Sequence, residues 1–295
     1  MSQEFHSVGL ILKHNDPGVV TALEAVAAVL EENQIDFWLD AAFDTGKTLH
    51  FQRKALPAIG NDCDLAIVIG GDGTLLHAAR ELAPFDITIL GVNLGRLGFL
   101  VDVSPKEISP RLNEILRGNS ISETRFLLQA DIQHPDENTM SVLAFNDVVL
   151  HKWELARMIE FDVRIDDSLI NTYRADGLVI ATPTGSTAYS LSAGGPIIHP
   201  SMDAITLAPI CPHTLNNRPL VISADSVIKL NLKAEDIENT MITLDGQIRV
   251  PLTPGTQVQV RAYSKPVQLL HPAGYDYYDI LRAKLGWGKH PSTTP

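Results

Sequence analysis

Asp72 stands in the run Ile67-Val68-Ile69-Gly70-Gly71-Asp72-Gly73-Thr74, one acid among three glycines. A glycine-dense turn between a strand and a helix gathers backbone N–H groups and the positive end of the helix at one point, which suits phosphate. The acid does not. Two unit charges 4 Å apart repel by about 4 kcal/mol at an effective dielectric of ~20, so an aspartate among phosphates weakens binding unless it has another duty. The duties available are holding Mg²⁺ or taking a proton from an attacking hydroxyl. The plain alternative is an aspartate that caps the helix beside glycines that serve a tight turn. Three glycines around one acid favour function.

A second concentration of polar chemistry lies at Ala181-Thr182-Pro183-Thr184-Gly185-Ser186-Thr187-Ala188-Tyr189-Ser190-Leu191-Ser192-Ala193-Gly194-Gly195-Pro196. Small side chains admit a ligand to the backbone, and hydroxyls can donate to ribose or phosphate oxygens. Tyr189 offers a flat face or a polar OH. An ordinary loop has the same composition. Asn146-Asp147 interrupts the apolar stretch 142–150. A polar pair inside a buried strand is costly unless satisfied, which calls for a bulge or a ligand contact. An amide and a carboxylate together suit a ribose diol. Tyr173-Arg174-Ala175-Asp176-Gly177 adds a base and an acid just upstream, on their own a surface turn with an ion pair worth under ~1 kcal/mol.

Competing patterns fall short. Ala41-Ala42-Phe43-Asp44-Thr45-Gly46-Lys47-Thr48 matches a loose Walker A, but its single glycine makes a poor phosphate nest. Lys13-His14-Asn15-Asp16-Pro17 follows the first strand where a dinucleotide G-x-G-x-x-G would be needed. Gly185-Ser186-Thr187 lacks the G-x-S-x-G elbow of serine hydrolases. His77, His199 and His213 have no pairing spacing and read as structural. Cys63 and Cys211 have no metal-ligand spacing and read as small buried residues in a reducing cytoplasm.

The elements that must position these groups fall into two grammars. Segments 7–13, 37–39, 65–69 and 87–92 read as strands, and 19–30, 75–82 and 110–116 as helices. Their alternation predicts a parallel, helix-covered sheet with ligands at the strand carboxyl ends. From about 126 the pattern changes to strict alternation, as in 159–165 and 228–232, which predicts half-buried antiparallel strands. Asp245-Gly246 between two apolar runs is a hairpin signal. The expected organisation is an α/β domain over 1–122, Rossmann-like but without GxGxxG. An all-β domain follows over 123–270, and then a helical segment over 271–295 that packs back on the first domain and ends in a frayed tail. The chain of 295 residues has a formal charge of −12, which argues against nucleic acid as a partner. No apolar run reaches the ~20 residues of a membrane span, and residues 1–10 lack the form of a signal peptide.

Taken in order, Gly70-Gly71-Asp72-Gly73-Thr74, Asn146-Asp147, and Asp176-Gly177 leading into Pro183-Thr184-Gly185-Ser186-Thr187-Ala188-Tyr189 resemble the bacterial NAD kinases. The resemblance spans essentially the whole chain, through Leu94-Gly95-Arg96-Leu97-Gly98-Phe99 to Leu285-Gly286-Trp287. Lipid kinases share the glycine–aspartate elbow, but the continuation Leu75-Leu76-His77-Ala78-Ala79 departs from theirs. The resemblance implies transfer of the ATP γ-phosphoryl group to the 2′-hydroxyl of the adenosine ribose of NAD, giving NADP and ADP. It also implies an α/β domain followed by a sandwich-like β domain, with the active site between them. A divalent cation, Mg²⁺ or Mn²⁺, would serve as cofactor, and a homo-oligomer, dimer or tetramer, would form through the β domain. Asp72 would be the catalytic base or the acid that orients the hydroxyl, and Gly73 would let the diphosphate approach. Asn146 and Asp147 would hold a ribose diol. Asp176, Thr184, Thr187, Ala188 and Tyr189, extending through Ser190 and Leu191 to Ser192, would cradle the adenosine and nicotinamide ends. Arg157 and Arg174 match basic positions near the phosphates, and Gln247 matches a contact from the hairpin region.

Overall fold

The computed structural model describes residues 5–43, 51–95, 98–135, 138–153, 158–233 and 237–287. Arg157 and most of the Walker-like stretch lie outside them, as do Arg96 and Leu97. Two compact units emerge, Met1–Thr124 with Val267–Pro295, and Arg125–Pro266.

In the first unit the chain runs β1 (Ser7–Leu12), α1 (Val19–Glu32), β2 (Asp36–Asp40), β3 (Arg53–Lys54), α2 (Leu56–Asp62), β4 (Leu65–Ile69), α3 (Asp72–Leu82), β5 (Thr88–Val92), α4 (Ile108–Leu116) and β6 (Ser120–Arg125). In the second unit come β7 (Leu128–Gln133), β8 (Met140–Ala144), β9 (Asp147–Lys152), β10 (Ile159–Ile165), β11 (Ser168–Ala175), β12 (Gly177–Ala181) and the short α5 (Tyr189–Ser192). It continues with β13 (Ala204–Ile210), β14 (Leu220–Ser223), β15 (Ile228–Leu232), β16 (Thr240–Leu244), β17 (Ile248–Pro251) and β18 (Gln257–Ala262). The chain then returns to the first unit as β19 (Val267–Pro272) and α6 (Tyr277–Leu285).

The first sheet has the order β3-β2-β1-β4-β5-β19-β6, with β1 to β5 and β19 paired in parallel. All five residues of β4 are buried, as a central parallel strand covered on both faces requires. Val8, Leu10, Leu12, Ile67 and Ile69 share a core with the apolar stripes of α1 and α4. The order of the sheet reverses between β1 and β4, so the topological switch point lies at their carboxyl ends, where the glycine elbow begins.

Residues 267–270, placed with the β domain from sequence, instead belong to β19 of the first unit, where 268–270 pair with β5, Leu270 opposite Leu90. A short apolar run carries no mark of parallel or antiparallel pairing, so its alternation alone could not place it.

The second unit is a pair of six-stranded sheets, β11-β10-β15-β18-β7-β8 and β14-β13-β12-β9-β16-β17. Their inner faces form one core that includes Ile132, Phe161, Val163, Leu150, Leu178 and Ile242. The strands pair antiparallel throughout both sheets. Among the described residues no helix is long and apolar enough to cross a membrane.

Leu270 is 2% exposed inside the first unit's core. Leu270→Ala should lower unfolding stability in urea by about 2–5 kcal/mol. A loss below about 0.5 kcal/mol, the size expected of a surface change, would show that β19 is an appendage rather than part of that core.

Candidate functional site

The elbow after β4 gives Asp72 a fixed place. Gly71 is the extended N-cap of α3 and Asp72 is the first helical residue. Its carboxylate turns to the segment after β5, where Oδ2 accepts the Phe99 N–H at 2.9 Å and Oδ1 the Leu100 N–H at 3.1 Å. A Cβ on Gly98 would lie 2.0 Å from Asp72 Oδ1, so only glycine lets this segment approach the acid. Two amides hold the carboxylate in one orientation and leave it further lone pairs. The carboxylate is therefore engaged in a long-range anchor, which the helix-cap alternative does not supply.

In the second unit a cleft of about 510 Å³ opens on the outer face of the β9–β12–β13–β16 sheet, within the size range of small-molecule sites. Its corner is built where the chain crosses from β8, in one sheet, to β9, in the other. Sequence predicted a polar pair inside one buried strand, but Asn146 lies between two strands of different sheets. A crossing of this kind frees backbone groups from any ladder, and they need acceptors.

Asp245 supplies them. It accepts the N–H groups of Phe145 at 3.0 Å, Asn146 at 2.7 Å and Asp147 at 3.1 Å, and its own N–H donates to the Asp147 carbonyl. Asp245 and Gly246 both have positive φ, 50° and 66°, and the Gln247 N–H returns to the Leu244 carbonyl, the pattern of a type I′ turn.

Thr182 completes the corner by donating its Oγ1 hydroxyl to the Phe145 carbonyl and its N–H to that of Asn146. Gly185 lies so close that a Cβ there would stand 2.0 Å from the Asn146 carbonyl oxygen. The Asn146 Oδ1 is left buried without a partner.

Asp147 is 4% exposed, and its carboxyl is pushed up to about 7 by burial and by the charge of Asp245. It is thus a carboxyl that can donate as well as accept near neutral pH. Lys152 pairs with Asp176 at 2.6 Å along the cleft, so the acid of the Arg174–Asp176 turn finds its partner on β9. His151 Nε2 meets Thr243 Oγ1 at 2.7 Å. Burial is the main cause that raises the Tyr189 hydroxyl above its ordinary value, with Cys211, Asp147 and Asp176 adding to it, so it stays a donor. Tyr189 is about half exposed at the rim.

Of the residues expected from sequence, the cleft collects Asn146, Asp147, Asp176, Ala188 and Tyr189. Thr184 and Thr187 lie in the 3₁₀ turn just before α5, bonded to each other, and Leu191 and Ser192 lie in α5 itself. Ser190 is fully buried against Gly195. Arg174 is exposed on β11 and Gln247 lies in the hairpin turn. Asp72 and Gly73 belong to the first unit.

Sequence reasoning missed Lys152, Thr243 and Asp245 as site residues. Period-two alternation beyond Val149 would have put His151 on the cleft face, but the long-range bonds of Asp245 and Lys152 have no local signal. Cys211, expected to be buried, is exposed.

Two family models match the chain, the ATP-NAD kinase N-terminal domain over residues 8–120 and its C-terminal domain over 145–271. The chain belongs to the ATP-NAD kinase family. It is 44% identical to the NAD kinase of Halorhodospira halophila over 96% of this chain and 94% of that protein. It is 43% identical to the NAD kinase of Nitrosospira multiformis over 99% of each. A crystal structure of yeast NADH kinase complexed with NADH superposes with a TM-score of 0.88 at 25% identity, covering 99% of this chain and 91% of the other. The fold alone is shared with an NAD kinase from Archaeoglobus fulgidus in complex with ATP, with a TM-score of 0.73 at 24% identity over 95% and 97% of the two chains. Family membership makes the protein a kinase that phosphorylates NAD with ATP to give NADP.

The proton on Asp147 sets a pH dependence. Between pH ~4 and the raised value of about 7, folded Asp147 keeps a proton that the unfolded chain has lost. Stability therefore falls as pH rises through this window, by at most about 4 kcal/mol. Urea unfolding at pH 5 and pH 7.5 should show that decline, and Asp147→Asn should remove most of it. An undiminished slope in the variant would contradict the assignment.

Proposed function

We propose that Asp72 is the group that takes the proton of the 2′-hydroxyl of the adenosine ribose of NAD. The 2′-oxygen forms a bond to the γ-phosphorus of ATP as the bond from that phosphorus to the ADP oxygen breaks. The proton passes to the Asp72 carboxylate. Phosphoryl transfer through a loose transition state needs alignment and charge neutralisation more than covalent help, so one placed acid and a turn of backbone amides suit it. The observation that carries this reading is the anchored carboxylate, held by the Phe99 and Leu100 amides at the carboxyl edge of the parallel sheet. The glycines of the elbow and the N-terminus of α3 would face phosphate, with Gly73 allowing the diphosphate close to the backbone.

Recognition we assign to the second unit. Asn146 and Asp147 hold a ribose diol, the partnerless Asn146 Oδ1 and the protonated Asp147 carboxyl meeting its hydroxyls. Asp176, Ala188 and Tyr189, with Thr184, Thr187, Ser190, Leu191 and Ser192 behind them, form the adenosine and nicotinamide cradle. Arg174 and Gln247 add contacts, and Arg157 would do so from outside the described residues.

A divalent cation would enter on the nucleotide phosphates. Among the described residues no group of three His, Cys, Asp or Glu side chains is placed to hold an ion, and Mg²⁺ commonly binds through phosphates plus one or two carboxylates. No step above is routed through it. Homo-oligomerisation through the β domain is supported by exposed apolar side chains on and near β11 and β14, among them Leu169, Ile170, Leu215 and Val221. The cytoplasm is the compartment that fits both substrates.

General-base action is typically worth 10²–10⁴-fold, so Asp72→Asn should keep NAD binding by calorimetry and lose turnover by about that factor. Unchanged turnover would sink the role of Asp72.

A further inference from the structure

Buried histidines outside a site are ordinary, but His271 has surroundings that packing alone does not require. Its side chain is 1% exposed on β19, one residue beyond the pairing of Leu270 with Leu90, and so at the carboxyl edge of the parallel sheet. Nδ1 lies 2.5 Å from Asp102 Oδ2, and Nε2 lies 3.4 Å from Glu123 Oε2. The Tyr275 ring stacks on the imidazole, with centroids 3.8 Å apart and planes at 16°. Nδ1 is hydrogen-bonded to Asp102, whereas Nε2 makes no hydrogen bond and meets Glu123 as a charge contact, so both acids favour the protonated ring.

Asp102 belongs to the same segment that holds Asp72. The segment is tied to β5 at its far end, where the Asn93 N–H donates to the Val103 carbonyl at 2.9 Å and the Val103 N–H returns to Gly91 at 3.4 Å. At its near end the Phe99 and Leu100 amides hold the Asp72 carboxylate. The Asp102 side chain, between these ends, is fastened sideways to the next strand by His271.

We propose that His271 is a positioning residue for Asp72. The charged imidazole fixes Asp102, Asp102 fixes the 98–103 segment, and the segment aims the amides that orient the acid. This rests on the reading of Asp72 as the base. Burial opposes charge on His271, but the hydrogen bond to Asp102 and the charges of Asp102 and Glu123 outweigh it and raise its pKa above the ordinary value. The groups facing it are Asp102 after β5, Glu123 on β6 and Tyr275 after β19. The charge-assisted tether is complete below the ordinary histidine range and weakens as pH rises through the raised value of the folded protein, where a neutral imidazole keeps only an uncharged Nδ1–H bond to Asp102.

The test uses the full chain and two variants. His271→Leu removes the tether. It should lower kcat about ten- to a hundredfold with the KM for NAD nearly unchanged, because a small misplacement of a reacting group is felt in turnover. Amide hydrogen exchange at Phe99 and Leu100 should speed up in the same variant. His271→Asn places an amide N–H near the position of Nδ1 without the charge, so it should recover only part of the kcat, as the neutral imidazole would, and lack the alkaline decline expected of the wild type.

Should His271→Leu fail to fold, NMR of the wild type decides the question, since the Phe99 and Leu100 amide shifts must titrate together with the His271 ring. Wild-type kcat and wild-type exchange in His271→Leu, or amide shifts that ignore the titration of the ring, would overturn the proposal. Exchange and shifts read the tether without turnover, so full activity in Asp72→Asn would defeat the base and leave the tether to be judged separately.

Discussion

Three consecutive backbone amides, at Phe145, Asn146 and Asp147, converge on the carboxylate of Asp245. The chain crosses there from one sheet of the β unit to the other, and buried amides without acceptors cost about 1–3 kcal/mol each. One carboxylate satisfies all three, and hydrogen bonds to a charged acceptor are roughly twice as strong as neutral ones. The crossing in turn presents the side chains of Asn146 and Asp147 to the cleft. Asp245 can reach it because a type I′ hairpin holds its backbone in the left-handed region.

The first unit repeats the device at a different place in the fold. The Asp72 carboxylate takes two amides from a neighbouring loop, and a glycine brings that loop into contact: Gly98 there, Gly185 beside the Asn146 carbonyl here. In both cases a carboxylate holds backbone amides, and that backbone carries or holds the groups proposed to act. The two corners differ in what they leave over. Asp72 accepts two amides and is left lone pairs for its proposed role, whereas Asp245 accepts three and raises the proton affinity of Asp147 by its charge.

Much of this was legible in the residues, because the signals are local. The buried run of β4, the glycine elbow, the alternation of β10 and β15 and the Asp245-Gly246 turn each follow from spacing and backbone preference. The placement of β19 was not legible, since a short apolar run fits either sheet. Nor was the sheet crossing at 145–147, where periodicity gives apolar residues on both sides of the polar pair and says nothing of the partner strand. Lys152 and Asp245 reach the cleft through contacts that are long in sequence or across strands. His271 gave no signal as a lone histidine; only the fold brings Asp102 and Glu123 to its two nitrogens.

Asp245 thus organises the corner proposed to bind NAD, and its carboxylate is the group to change. Asp245→Asn keeps a residue that tolerates the left-handed turn but sets an NH₂ where one oxygen accepted an amide. Calorimetric titration of the folded variant with NAD measures the consequence directly. Affinity should weaken on the order of ten- to a hundredfold, the cost of one or two hydrogen bonds to a charged group. Wild-type affinity in a fully folded variant would contradict the role of Asp245.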